Sequence, residues 1–295
     1  MNDAMDGLCL FVSDLHGSLP RYRRLFRLIA EETPDAVFVG GDLLPSFLRF
    51  SDARAGTPDE FVGDFLVPEL RALHSHLGAA YPSIFLIMGN YDLRAAEGEF
   101  TRDEYADLWR YIHQKRVTYG AFDVFGYAHV PPTPFRLKDW DRYDVSRSID
   151  PGCISPEDGD YSVEIDRRRV RYATIQDDLE ALTGDRDLSR SVFLFHTPPY
   201  QTHLDRAALD GRVIDHVPLD VHVGSIAVRR MIERKQPLLT LHGHIHESVR
   251  LTGRWRDRVG QTHLFSGCHD GPELAVVRFR LDELDAAERV LLPVT

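Results

Sequence analysis

The residues best equipped for chemistry stand in five short clusters: Asp14-Leu15-His16, Gly41-Asp42, Gly89-Asn90-Tyr91-Asp92, His196 and Gly243-His244-Ile245-His246. Aspartate, asparagine oxygen and imidazole are hard-to-borderline ligands that suit Mn²⁺, Fe²⁺ or Zn²⁺. Two divalent ions about 3.5–4 Å apart can share one carboxylate and clamp the attacking and leaving oxygens of a phosphoryl transfer. A DxH or a GD by itself is an ordinary strand-end turn. GHxH says more, because residues two apart on extended backbone face the same side. Taken together and in order, the clusters predict a site that binds two metal ions.

The clusters need elements to bring them together, and the hydrophobic pattern supplies these. The apolar runs Leu8–Val12, Ala36–Val39, Ile84–Met88, Val192–Phe195 and Leu238–Leu241 each end at, or just before, one cluster. Their continuous hydrophobicity predicts strands buried on both faces. In open α/β sheets ligands bind beyond the carboxyl ends of the strands, so groups distant in sequence converge there. Glycines beside the clusters let the chain turn sharply after each strand.

Helical patterns fill the gaps. Residues 21–32 place Leu25, Phe26, Leu28 and Ile29 on one side. Thr57 to Glu60 reads as a capping box opening a helix that Pro68 should kink or end. Thr101 to Glu104 reads as a second box, leading through Tyr105, Leu108, Trp109 and Ile112. Ser225 is a cap for a helix to about Arg234. Strands are also expected over 262–266, 274–281 and 290–292. From about Tyr127 to Asp160 the chain turns proline-rich and irregular, which reads either as a surface loop with turns or as a flap over a site. The expected organisation is one α/β domain over residues 1–295 with that flap inserted.

Composition bounds the function. A length of 295 residues with 43% hydrophobic residues supports a real core, and the formal charge of −11 argues against sequence-independent binding of long nucleic acid. One cleft can still be basic enough for a small phosphate ester. Cys9, Cys153 and Cys268 are widely spaced without a CxxC pair, and no apolar run reaches membrane length, so a reducing, cytoplasmic setting is expected. Oligomeric state is not readable.

The ordered set resembles the calcineurin-like metallophosphoesterase superfamily, whose motifs are D-x-H, G-D, G-N-H-[DE], H and G-H-x-H. The match runs from Asp14 to His246. The resemblance implies a four-layer α-β-β-α sandwich of two mixed sheets. It implies that Asp14, His16 and His246 hold one metal, that Asn90, His196 and His244 hold the other, and that Asp42 bridges them. It further implies in-line attack on phosphorus by a metal-bound hydroxide.

One position departs from the pattern: Tyr91 stands where the family usually has histidine, a residue assigned to transition-state stabilisation or leaving-group protonation. An unperturbed phenol, with a pKa of about 10, is a far weaker acid than imidazolium. Some family members lacking that histidine are known chiefly as phosphodiesterases, so the resemblance implies a phosphodiesterase acting on a small molecule. A phosphomonoesterase or protein phosphatase is the second reading, and a catalytically weak metal-binding scaffold is a third of a different class. Tyr91 either donates a hydrogen bond at the site or packs against the flap. His203, held by the stiff segment His196-Thr-Pro-Pro, is a candidate replacement acid, and Asp92 is a candidate to orient Tyr91 or the Asn90 turn. Arg94, Arg136 and Lys138 are candidate phosphate or base contacts, with Phe135 or Trp140 as stacking surfaces.

Overall fold

The computed structural model describes residues 7–45 and 58–294. The five apolar runs all become strands, and each pairs on both edges within one of two sheets. In the first sheet Cys9–Val12 (β1), Ala36–Gly40 (β2), Ser83–Ile87 (β3) and Arg110–Tyr111 (β4) run parallel. In the second sheet Lys115–Tyr119 (β5) pairs antiparallel with Phe122–Tyr127 (β6), which runs parallel to Ser191–Phe195 (β7). A small separate hairpin follows, Val213–Ile214 (β8) with Val217–Pro218 (β9). Leu239–His242 (β10), Arg256–Val259 (β11) and Thr262–Ser266 (β12) complete the second sheet. Leu274–Phe279 (β13) and Glu288–Leu292 (β14) return antiparallel to the first. The orders are β14-β13-β1-β2-β3-β4 and β11-β12-β10-β7-β6-β5.

The two sheets pack face to face. Register aligns Phe11 with Phe38 and Phe38 with Phe85, so three rings share one inner face. They join Val192, Leu194, Leu239, Leu241 and Phe265 of the opposite sheet in one buried cluster. The other side of β7 carries Phe193 and Phe195, which pack with residues of the helices Ile175–Thr183 and Ile226–Lys235. The helix Leu19–Glu32 covers the first sheet with Tyr22, Leu25, Phe26, Leu28 and Ile29. Each fully buried side chain of this kind stabilises by about 1.5–3 kcal/mol, which explains why both faces of the central strands are apolar. The four-layer α/β sandwich is thus the fold.

Local expectations fared unevenly. Ser225 caps its helix as expected, its Oγ accepting from Val228 N at 3.0 Å. Thr57 lies outside the described residues. Pro68 neither ends nor breaks its helix: a π-helical stretch, Phe61–Leu66, precedes Val67–Leu77, and Pro68 sits in the first turn after it. The register change there removes the need for a Pro68 N–H donor. The helix expected from Thr101 is corrected. Only a 3₁₀ turn forms at Asp103–Tyr105, and Arg110–Tyr111 pairs with β3 instead. Sheet pairing there overrides the local capping pattern.

Residues 127–160 hold no long element but are firmly anchored. Trp140 is fully buried and donates from Nε1 to Asp92 O at 2.8 Å. Lys138 is fully buried and donates to Asp141 and to Thr133 O. Asp144 accepts from Ser225 Oγ and from Ile226 N, tying the segment to the start of a helix. No described helix is long and apolar enough to cross a membrane.

Candidate metal centre

Each metal-capable side chain is delivered by the end of a parallel strand. Asp14 and His16 follow β1, Asp42 follows β2, Asn90 follows β3, His196 follows β7, and His244 and His246 follow β10. Adjacent parallel strands end on the same side of a sheet, and the two sheets present their ends together. Four of these residues leave their strands in the left-handed region: Asp14 (φ 57°), His16 (φ 48°), Asp42 (φ 52°) and His244 (φ 77°). Such a conformation costs on the order of 1–3 kcal/mol at each position, and a cluster of four marks a site where the fold imposes geometry.

The geometry divides into two halves that meet at Asp42. In one half His16 Nε2 and His246 Nε2 lie 3.0 Å apart. Asp14 Oδ1 lies 3.4 Å from His246 Nε2, and Asp42 Oδ2 lies 3.7 Å from His16 Nε2. One donor atom from each of Asp14, His16, Asp42 and His246 falls within 4.8 Å of the others. In the other half His196 Nε2 lies 3.0 Å from Asn90 Oδ1 and 3.5 Å from Asp42 Oδ1, and the His196 and His244 rings are 5.1 Å apart. Gly89 is required beside them, since a Cβ there would collide with Asp42 Oδ1 and His196.

The donor set fits metal ions on its own terms. Asp42 Oδ2 is buried and has no hydrogen-bond partner, an orphaned carboxylate oxygen that a cation would satisfy. Burial alone would favour protonated acids, yet the surrounding imidazoles hold the carboxyls of Asp14 and Asp42 below the usual range. Burial pushes His244 down to about 3 and lowers His16, keeping both imidazoles available as neutral donors. His196 goes the other way, up to about 9: burial opposes its charge, but Asp42 and Asp14 outweigh that. A cation at Asp42 would reverse that balance and displace the proton.

Surrounding residues orient this set. His196 is fixed by Nδ1 against Gly40 O at 2.8 Å. Asp14 Oδ1 accepts from His244 N at 3.1 Å, and Cys268 Sγ donates to Asp14 Oδ2 at 3.6 Å. Arg21 donates to Asp14 O at 3.0 Å. Cys268 and Arg21 were not singled out from sequence. The signal for Cys268 was present, since it follows the strand Thr262–Ser266, but that run ends in no recognised motif. His242 is turned away as alternation requires, bonded to Thr197 O and Thr240 Oγ1.

The remaining candidates separate. Tyr91 is at the site: its ring meets His16 edge-on at 5.4 Å and also contacts Phe135 at 5.2 Å. Burial and the Asp42 charge raise its phenol above the ordinary value, so it is a still weaker acid. Asp92 is fully buried, and its carboxylate accepts from Leu43 N, Leu44 N and Gly89 N, locking the third turn to the second. Burial, with the Asp42 charge, pushes Asp92 up to about 7. His203 does not join the cluster; its Nδ1 pairs with Asp257 Oδ2 at 2.7 Å in a separate recess shared with Arg206 and His222. Arg136 pairs with Asp160, Arg94 stacks over Trp140, and Lys138 and Trp140 are internal, so of these candidates Phe135 is the one that lines a cleft beside His244 and His246.

Comparison with known proteins identifies the family. The profile of the calcineurin-like phosphoesterase family matches residues 8–248. No match to a curated protein was found. One crystal structure aligns over 98% of this chain and 99% of its own, with a TM-score of 0.56 and 18% identity. The structure of TT1561 from Thermus thermophilus aligns over 97% and 99%, with a TM-score of 0.56 and 17% identity. A structure described as a novel archaeal phosphodiesterase aligns over 97% and 99% at a TM-score of 0.43 and 10% identity, too distant to bear on this chain. The solved structures support the fold; the family match covers all five motifs. The chain belongs to the calcineurin-like phosphoesterase family.

Proposed function

We propose that this phosphoesterase hydrolyses phosphodiesters of a small molecule with two divalent ions, Mn²⁺, Fe²⁺ or Zn²⁺. Asp14, His16 and His246 would hold one ion, Asn90, His196 and His244 the other, and Asp42 both. Bound there, the ions supply an activated water near neutral pH and neutralise charge on the phosphoryl oxygens.

The chain's own residues shape the rest. Asp42 has one oxygen free for a cation and uses the other to accept from Tyr91 N at 2.8 Å, which ties the third motif to the bridging carboxylate. The observation that carries the diester preference is the phenol of Tyr91 against His16, where it offers a neutral donor in place of an imidazolium. A leaving group with a high pKa needs a proton as it departs, and this residue gives it poorly. A diester carries one charge fewer than a monoester dianion and depends less on a cationic acid beside the metals. Residues 127–160 act in this reading as a flap, with Phe135 over Tyr91.

The test compares bis(p-nitrophenyl) phosphate with p-nitrophenyl phosphate in Mn²⁺-loaded protein. The expected result is a kcat/KM at least about tenfold higher for the diester. Faster turnover of the monoester would overturn the preference.

A further inference from the structure

A cleft of about 590 Å³ opens beside His244 and His246 and runs away from the metal ligands between two walls. One wall is the flap segment, with Pro134, Phe135 and Pro151. The other is the β8–β9 hairpin and its flanks, with Leu209, Ile214 and Leu219. The walls touch, since Ile214 Cδ1 occupies the space that a Cβ on Gly152 would need, and Gly152 has φ +85°. The hairpin turns through Asp215 and His216, both with positive φ (48° and 67°), which makes it a tight two-residue loop.

The lining of the cleft is mainly apolar. Val213, Ile214 and Phe135, which line it, are 54%, 37% and 41% exposed. A concentration of uncovered apolar side chains around a functional site marks a binding surface. The charges lining the cleft are mainly acidic: Asp150, Asp220 and Glu247, against one arginine, Arg212. Acidic walls repel the additional phosphates of a polyphosphate tail. A polyphosphate tail is therefore a poor occupant, and a hydrocarbon tail a good one.

We propose that this cleft binds the single aliphatic chain of a phosphodiester whose phosphorus sits at His244 and His246. The inference rests on the phosphodiesterase reading and specifies its substrate class. The chain lies between the flap and the hairpin, while the smaller ester group points to solvent.

Two measurements test this. In Mn²⁺-loaded protein, kcat/KM is compared for p-nitrophenyl methyl, butyl and octyl phosphodiesters. It should rise about three- to fourfold for each methylene the cleft covers. In metal-stripped protein, calorimetry compares methyl octyl phosphate with dimethyl phosphate, and the octyl ester should bind more tightly. Ile214→Ser and Phe135→Ser, one on each wall, should each lower the octyl-to-methyl ratio about tenfold. Turnover of all three diesters at equal kcat/KM would overturn the inference while leaving the phosphodiesterase reading in place. Chain-dependent binding without turnover of any diester would uphold the cleft and overturn that reading. An adenosine 5′-(p-nitrophenyl) phosphodiester preferred over the octyl ester would overturn the aliphatic assignment.

Discussion

Tyr91 sits 5.4 Å from His16 and 5.2 Å from Phe135, between the candidate metal site and the proline-rich segment. Tyr91→His should raise kcat/KM for an alkyl phosphate monoester by about a hundredfold, the lower end of the usual reach of a positioned general acid; an unchanged rate would show that proton donation does not limit that reaction. Asp42 is different, because its two oxygens serve both halves of the site. Asp42→Asn should lower diester turnover by more than about a hundredfold and weaken binding of both ions, read by metal analysis after dialysis. A variant that kept both ions would refute the bridging role. Both residue types were legible from sequence, but the contacts of Asp92 and His203 were not. Asp92 is consumed by three backbone amides, two of them at Leu43 and Leu44, and His203 by Asp257. Those partners lie 48 to 54 positions away along the chain.

Elements behaved according to how much of their environment was local. The strands of the site were readable because they are buried on both faces, and continuous apolar runs of that length have few alternatives. The edge strands Lys115–Tyr119 and Arg256–Val259 carry mixed polar residues and gave no such signal. The proline-rich segment is held by side chains instead of a ladder. Glu157 illustrates this, accepting from Arg147 at 2.7 Å, Arg171 at 2.6 Å and Tyr143 Oη at 3.0 Å. The Arg171 hydrogen bond, with those of Arg147 and Tyr143, lowers its carboxyl from the ordinary 4.5 to about 2. A depressed folded-state pKa contributes stability above the unfolded value that is lost as pH falls. The protection of amides 143–171 in wild type over Glu157→Gln should therefore be full above about pH 4.5 and vanish toward pH 2. Hydrogen exchange measures it, and a pH-independent difference would rule out this anchoring role.

At the scale of the whole molecule, two sheets meet so that their strand ends share one surface, and buried charge collects there. Ions that bind the folded site and not the unfolded chain must stabilise the protein. At a free Mn²⁺ concentration about 100 times Kd the gain is about 2.7 kcal/mol, seen as a concentration-dependent rise in Tm that EDTA reverses. A Tm indifferent to Mn²⁺ would contradict the metal centre. By itself the sequence determined the residue types, their order and the strands that carry them, because hydrophobic period and strand-end glycines are local properties. Tertiary structure alone decided which groups converge. The left-handed exits at Asp14, His16, Asp42 and His244, the diversion of His203, and the placing of Phe135 over Tyr91 follow from pairing and packing between distant segments. The cleft between residues 131–153 and the β8–β9 hairpin belongs to that second kind, since neither segment forms it without the other.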